Sequence, residues 1–113
     1  MKTFANFAAQ GDLLFSYIQG LPKEAVEVAP ENGRHIVGHS ETGHHHVIDA
    51  ASGRLYRMPS NPLLLILVVV DPKPIEHLRS FDTHEALLPA KPGVIAVKRQ
   101  REWAPEGWRQ VAD

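Results

Sequence analysis

Histidine is the residue type whose number and spacing in this sequence point most directly to chemistry. Four of the seven histidines fall within the eight positions from His39 to His46. Side chains of a β-strand alternate between its two faces, so His44 and His46 are expected to share a face that His45 does not. If residues 40–43 form a hairpin loop, His39 lies opposite His44 across the ladder, and three imidazoles converge.

Converging imidazoles predict a metal site, because neutral imidazole is a good ligand for Zn²⁺, Ni²⁺ or Fe²⁺. The predicted ligands of this divalent ion are His39, His44, His46 and, from a separate segment, His84. In an enzyme, an open coordination position would hold water or substrate, and Glu41 or Glu85 would act as acid or base. Two other interpretations stay open: a network of structural histidines that braces a loop, and an exposed polar strand face.

The spacing of Gly38, His44 and His46 resembles the opening of the first cupin motif. Cupins are small β-barrels that bind a metal through two such histidines, a carboxylate and a later histidine, so the resemblance implies a metal-binding barrel. The sequence departs from the pattern after His46: alanines stand at both positions where the carboxylate is expected, and Asp49 comes one position early. The second motif is also incomplete, because its proline and glycine follow His84 here instead of preceding it.

The elements that must position these residues are short strands. Prolines and glycines divide the chain into segments whose apolar residues alternate or are β-branched, and no stretch keeps a helical period over ten residues. Residues 34–39 and 44–50 are predicted to pair as a hairpin, the apolar run 63–70 to form a central strand, and residues 93–103 the longest strand. We predict an all-β barrel or sandwich of about 7–9 short, mainly antiparallel strands, with at most one short helical turn near the C-terminus.

Length and composition favour one domain over the whole chain, residues 1–113, with 43% hydrophobic residues available for its core. Twelve Lys+Arg against thirteen Asp+Glu give a net charge of −1, which argues against a general affinity for nucleic acid or anionic membranes. The chain has no cysteine, so disulfides, thiolate metal sites and cysteine nucleophiles are excluded. The N-terminus lacks the apolar segment of a signal peptide and the longest apolar run has eight residues, so we expect a cytoplasmic protein without a membrane span.

The two ends of the chain carry the residues expected to contact other subunits. Residues 1–10 are predicted to form an N-terminal arm and residues 103–113 a C-terminal arm. The predicted interface residues are Phe4, Phe7, Trp103 and Trp108, because aromatic side chains are enriched in protein interfaces and tryptophan in contact hot spots. Cations alternate with both tryptophans, so a nucleic-acid surface with stacked bases is a second interpretation, but nearby acidic residues offset much of that charge.

Four segments resemble a group of small uncharacterised proteins of bacteria and bacteriophages: AAQGDLLF, HSETGHHHVIDA, FDTHE and KRQREWAPEGWRQVAD. The resemblance covers residues 10–113 and implies a phage or prophage origin, but no activity. Since the sequence also lacks a complete catalytic constellation, we predict a non-catalytic structural subunit of a larger assembly, a capsid decoration or cement protein of a bacteriophage virion. Expected partners are further copies of the chain, a capsid protein or both, first in the bacterial cytoplasm and then in the virion. The alternative is a cupin-like metal enzyme built on His39, His44 and His46.

Overall fold

The chain folds almost entirely into β-strands joined by turns. The computed structural model describes residues 1–40, 43–78, 86–104 and 107–110, and of residues 101–104 and 107–110 the backbone alone. In chain order the strands are β1 (Lys2–Phe4), β2 (Phe7–Gln10), β3 (Leu13–Ile18), β4 (Val26–Val28), β5 (Arg34–Gly38), β6 (His46–Asp49), β7 (Gly53–Arg57), β8 (Leu64–Val69), β9 (Ile75–His77), β10 (Leu87–Pro89), β11 (Gly93–Arg99), β12 (Arg101–Ala104) and β13 (Gly107–Gln110). Among the residues described, no helix is long and apolar enough to cross a membrane.

The strands form two sheets and a separate hairpin. The first sheet has the order β1-β10-β9-β6-β5 and the second the order β2-β3-β11-β8-β7-β4, while β12 and β13 pair only with each other within the described chain. All neighbours are antiparallel except β1 and β10. β11 is bonded along both edges, to β3 and to β8, and is therefore central in the second sheet.

The hydrophobic core lies between the two sheets. The first sheet contributes Phe4, Val37, Ile48, Ile75 and Leu87, and the second contributes Ala8, Leu13, Phe15, Leu55, Leu67, Val69, Ile95 and Val97. Along β3 and β11 the buried residues alternate with more exposed ones, as expected of strands that bury one face. The predicted all-β fold is confirmed, and its form is a sandwich of two sheets instead of a closed barrel.

The number of strands differs from the prediction, and the one short helical turn that is described lies elsewhere in the chain. The described residues hold thirteen strands, more than the predicted number, because several strands have only three residues and too few alternations to be recognised. The helical turn is a 3₁₀ turn at Ala50–Ser52 in mid-chain, where the Asp49 side chain accepts a hydrogen bond from the Ala51 amide. The expected turn near the C-terminus is not found in its described part, because residues 107–110 form β13.

The predicted histidine hairpin forms, but with a different register. β5 and β6 pair antiparallel, and an irregularity between Ile36 and Gly38 brings Gly38 opposite His46. The connecting segment therefore comprises residues 39–45 instead of 40–43, and the expected cross-strand pair of His39 and His44 was wrong. A β-bulge of this kind inserts an extra residue on one strand and shifts every later pairing.

The predicted longest strand is divided at Gln100. β11 ends at Arg99, and the Gln100 amide donates a 2.8 Å hydrogen bond to the Asp12 carbonyl, in the turn between β2 and β3. Beyond this point the backbone leaves the second sheet and enters the hairpin of β12 and β13.

The predicted N-terminal arm is part of the sandwich. Residues 2–4 form β1 at the edge of the first sheet, and residues 7–10 form β2 at the edge of the second. The chain thus passes from one sheet to the other within its first ten residues. Phe4 is 4% exposed and packs its ring against those of Phe15 and Tyr17, at centroid distances of 6.2 and 5.7 Å.

Candidate functional site

The structure separates the histidines that were predicted to share a metal ion. His46 is the first residue of β6 and is fully buried, whereas His39 is exposed and His44 is half-buried in the connecting segment. His84 lies outside the described residues. Within the part of the chain that the structure describes, no three His, Cys, Asp or Glu side chains are arranged to hold a metal ion.

The segment between β5 and β6 is instead braced by His45. The Ser40 amide donates a 2.9 Å hydrogen bond to His45 Nδ1, and the rings of His39 and His45 meet edge to face with their centroids 5.4 Å apart. Because Nδ1 of His45 accepts this bond, the neutral ring carries its proton on Nε2. These contacts correspond to the alternative in which histidines brace a loop.

A buried polar cluster lies at the junction of the two sheets, and His46 is the one member that was predicted from the sequence as a site residue. Its five side chains are those of Gln10, Asp12, His46, His77 and Arg99. The rings of His46 and His77 are stacked, with centroids 3.9 Å apart and planes inclined by 15°. Asp12 and His46 have no exposed surface, and His77 is 5% exposed. The five residues come from β2, the following turn, β6, β9 and β11, so the cluster joins both sheets.

Gln10 fixes the proton of His46. Its Nε2 donates to the Ile75 carbonyl at 2.9 Å, so its Oε1 is the atom that faces His46 Nδ1 at 2.9 Å. An amide oxygen is only an acceptor, so Nδ1 of His46 carries the proton. Nε2 of the neutral His46 ring therefore has no proton to donate. Nε2 lies 3.5 Å from Asp12 Oδ1, and the two residues form an ion pair only when His46 is protonated.

The charged partner of Asp12 is Arg99. Arg99 Nε lies 3.1 Å from Asp12 Oδ2, with the arginine side chain 16% exposed and the aspartate 0% exposed. A buried carboxylate requires such a partner, because an isolated charge is strongly destabilised away from water. The pairing explains how Asp12 is accommodated inside the sandwich.

Two glycines make room for the cluster. Gly11 has φ +57°, and a Cβ there would lie 3.0 Å from Cε1 of both His46 and His77. A Cβ on Gly38 would lie 2.9 Å from His46 Cδ2 and 3.1 Å from Arg99 Nη2. A side chain at either position would therefore press against the buried His46 ring.

Burial keeps His46 neutral. Desolvation is the largest cause that lowers the pKa of His46, to about 4, and the electrostatic interaction with the stacked His77 acts in the same direction. The Asp12 carboxylate raises this pKa and Arg99 lowers it, without reversing the net shift. At neutral pH the cluster therefore contains one charged pair and a neutral His46, enclosed by both sheets.

Two members of the buried cluster that were not predicted, His77 and Arg99, could have been found from the strand periodicity. His77 is two residues from buried Ile75, and Arg99 follows Ile95 and Val97 at the same spacing of two. A period of two places each of these polar residues on the inward face of its strand. The positions of Gln10 and Asp12 depend on a turn whose path the sequence alone does not define.

The predicted interface residues have different environments. Phe4 lies in the hydrophobic core of the sandwich, so it presents almost no surface of its own on the single chain. Phe7 is 71% exposed on β2, at the edge of the second sheet. Trp103 and Trp108 occupy directly opposite positions in the register of β12 and β13.

Comparison with known proteins places the chain in a family. The family described as "Domain of unknown function (DUF8820)" matches residues 9–100. These residues contain the whole sandwich from β3 to β11 and all five members of the buried cluster, and they end immediately before β12. No curated protein and no solved structure shows significant similarity to the chain. Because the match spans most of its length, this chain is a member of the DUF8820 family.

Proposed function

We propose that this chain is a non-catalytic structural subunit of a larger assembly, of the kind that decorates or cements a bacteriophage capsid. The observation that carries the proposal is the hairpin of β12 and β13, which belongs to neither sheet of the sandwich. The phage origin rests on the sequence resemblance alone. In this proposal the protein assembles in the bacterial cytoplasm and ends in the virion, bound to further copies of itself and to a capsid protein.

The hairpin is a structure that needs support from a neighbour. A two-stranded ribbon is marginally stable in water, and a third strand or a packed surface stabilises it. Within the described residues, neither β12 nor β13 has a third strand beside it. The ribbon also carries both tryptophans of the chain at one register position, and tryptophan is enriched in contact hot spots. A partner subunit is the support that we propose.

A second surface suited to contact lies on β2. This strand is at the edge of the second sheet and is paired only with β3 among the described strands. Edge strands offer backbone donors and acceptors to another chain. Phe7 adds a large apolar side chain there that is 71% exposed. We assign β2 to the same role as the hairpin, contact with other subunits.

The alternative function, a cupin-like metal enzyme, needs His39, His44 and His46 around one ion. His46 lies on the same face of β6 as the core residue Ile48 and is fully buried, whereas His39, which follows the irregular end of β5, is exposed. The buried cluster around His46 pairs its charges internally and links the two sheets, which suits a structural role. These contacts support the structural proposal over the enzyme.

Light scattering on the untagged full chain tests the proposal. We expect an oligomer, and we expect the double variant Trp103→Ala/Trp108→Ala to shift the protein to monomers, because loss of a hot-spot side chain costs more than about 1 kcal/mol. Leu21→Ala is the matched control, since Leu21 is an apolar residue between β3 and β4 that is 41% exposed. It should leave the oligomer unchanged.

A protein that stays monomeric at every concentration, contains a stoichiometric metal ion and converts a small molecule would contradict the proposal. Elemental analysis of the same sample measures Zn, Ni and Fe and so tests the enzyme alternative directly. An oligomer that is equally stable in the double tryptophan variant and the wild type would reject the hairpin as the contact surface.

A further inference from the structure

A pocket of about 250 Å³ opens at one end of the sandwich. It lies where β3 and β8 begin and where β5 and β11 end. Its walls are mainly apolar and are formed by Leu13, Val37, Pro62, Leu63, Leu65 and Val97. Two side chains able to donate hydrogen bonds join this lining: His39, which is exposed, and Arg99, at the end of β11.

The Arg99 guanidinium has N–H donors beside this pocket in addition to the Nε–H that faces Asp12. A guanidinium has five N–H donors and no acceptor, and its Nε is the atom that pairs with Asp12, at 3.1 Å from Oδ2. Nη2 is buried and has no hydrogen-bond acceptor among the described residues. Nη2 lies at the wall formed by Gly38, since a Cβ on this glycine would be 3.1 Å away from it.

From this juxtaposition we propose that the pocket binds a small organic acid, a carboxylate on a short apolar body. The carboxylate accepts hydrogen bonds from the Arg99 guanidinium, whose planar geometry matches a carboxylate. The apolar body packs against the leucine and valine side chains of the wall. His39 at the rim is a second donor for the same group. This ligand site is independent of the hairpin and adds a binding property to the proposed subunit.

The test is a titration of the full chain with hexanoate, followed by amide chemical shifts in NMR spectra at neutral pH. We expect saturable shifts centred on the residues that line the pocket, such as Leu13, Gly38 and Leu63. Acetate has the carboxylate without the apolar body, and hexan-1-ol has the apolar body without the charge. Both should bind at least about tenfold more weakly than hexanoate, because each lacks one half of the recognition.

Two variants assign the binding to this pocket. Leu63→Trp fills the pocket and should weaken hexanoate binding at least about tenfold, while Leu21→Trp adds the same side chain at an exposed turn and should not. Arg99→Lys keeps a positive charge beside Asp12 but loses the guanidinium, and should also weaken binding about tenfold. The thermal midpoint of each variant shows that it is folded.

Three results would overturn the proposal. The first is the absence of saturable shifts with hexanoate. The second is equal binding of hexanoate and hexan-1-ol, which would remove Arg99 from the recognition. The third is unchanged hexanoate binding in folded Leu63→Trp and Arg99→Lys proteins, which would place the ligand elsewhere.

Discussion

At the residue scale, the main feature of this protein is a compact group of polar side chains between two apolar sheets. Asp12 and Arg99 form its charged pair, and Gln10 holds the proton of His46 on Nδ1. Each of these contacts links residues that are far apart in sequence. The cluster therefore ties together segments that come close only once both sheets have formed.

The neutral state of His46 predicts a loss of stability in mild acid. Its pKa is about 4 in the folded protein, below the ordinary value of 6.5, so the unfolded chain gains a proton first as the pH falls. The contribution of neutral His46 to the free energy of unfolding is fully present above about pH 6.5. It is lost as the pH falls from 6.5 to 4, and the loss is about 3 kcal/mol at most. Urea unfolding at pH 7 and at pH 4.5 measures this change.

A variant without the imidazole isolates the contribution of His46. His46→Gln is expected to be less stable at pH 7 but to lose less stability on acidification than the wild type does. His44→Gln, in the segment before β6, serves as the control and should retain the wild-type response. An identical pH response in the wild type and the His46 variant would contradict the assigned role of His46.

Gly38 should be intolerant of any side chain. A Cβ there would approach Leu13 Cδ1, His46 Cδ2 and Arg99 Nη2 to 2.5, 2.9 and 3.1 Å. Gly38→Ala is therefore expected to lower the free energy of unfolding by about 1–3 kcal/mol through overpacking. Gly20→Ala is the matched control, because a Cβ at Gly20 would meet no atom within 4 Å and should cost almost nothing. Equal stability of the two variants by chemical denaturation would refute the close packing around Gly38.

At the element scale, the sequence predicted the strands better than their connections. The strand pattern of residues 93–103 identified β11, and the apolar run at 63–70 identified β8, which lies inside the second sheet. The bulge in β5 was not predictable, because its residues show no break in pattern. Its consequence was large, because the shifted register removed the predicted pairing of His39 with His44, on which the expected convergence of imidazoles depended.

The division of the last long strand was missed for a similar reason. Residues 93–103 form a continuous strand pattern, but the Gln100 amide bonds to the Asp12 carbonyl, and the backbone leaves the sheet there. The competing contact comes from a turn almost ninety residues earlier in the chain. Local periodicity does not contain such long-range information, and the same limit applies to the cluster around Asp12.

The separation of the hairpin from the sheets predicts that the sandwich folds without it. Removal of residues 101–113 deletes β12 and β13 and leaves in place every core member among the residues whose side chains the structure describes. The shortened chain is expected to keep the strand signal in circular dichroism and nearly the same amide shifts for β3 and β11. Collapse of the dispersed NMR spectrum on truncation would show that the hairpin is part of the core unit.

At the scale of the whole molecule, the described residues form a sandwich of two sheets with an appended ribbon. The family match ends at Gln100, so the ribbon also lies outside the matched region. In our proposal the ribbon, with its opposed tryptophan positions, is the means of attachment to other subunits. Specific interfaces generally bury more than roughly 1,000 Å² in total, so we expect β2 and other faces to contribute beside the ribbon.

Hydrogen exchange of the hairpin amides shows whether another subunit supports the ribbon, because a two-stranded ribbon is protected only when another surface packs against it. We expect exchange of the amides of β12 and β13 to slow markedly as protein concentration rises, while exchange in β3 and β11 stays slow throughout. Rapid exchange of the hairpin amides at every concentration, from a protein that remains monomeric, would show that the ribbon is not a contact surface between subunits.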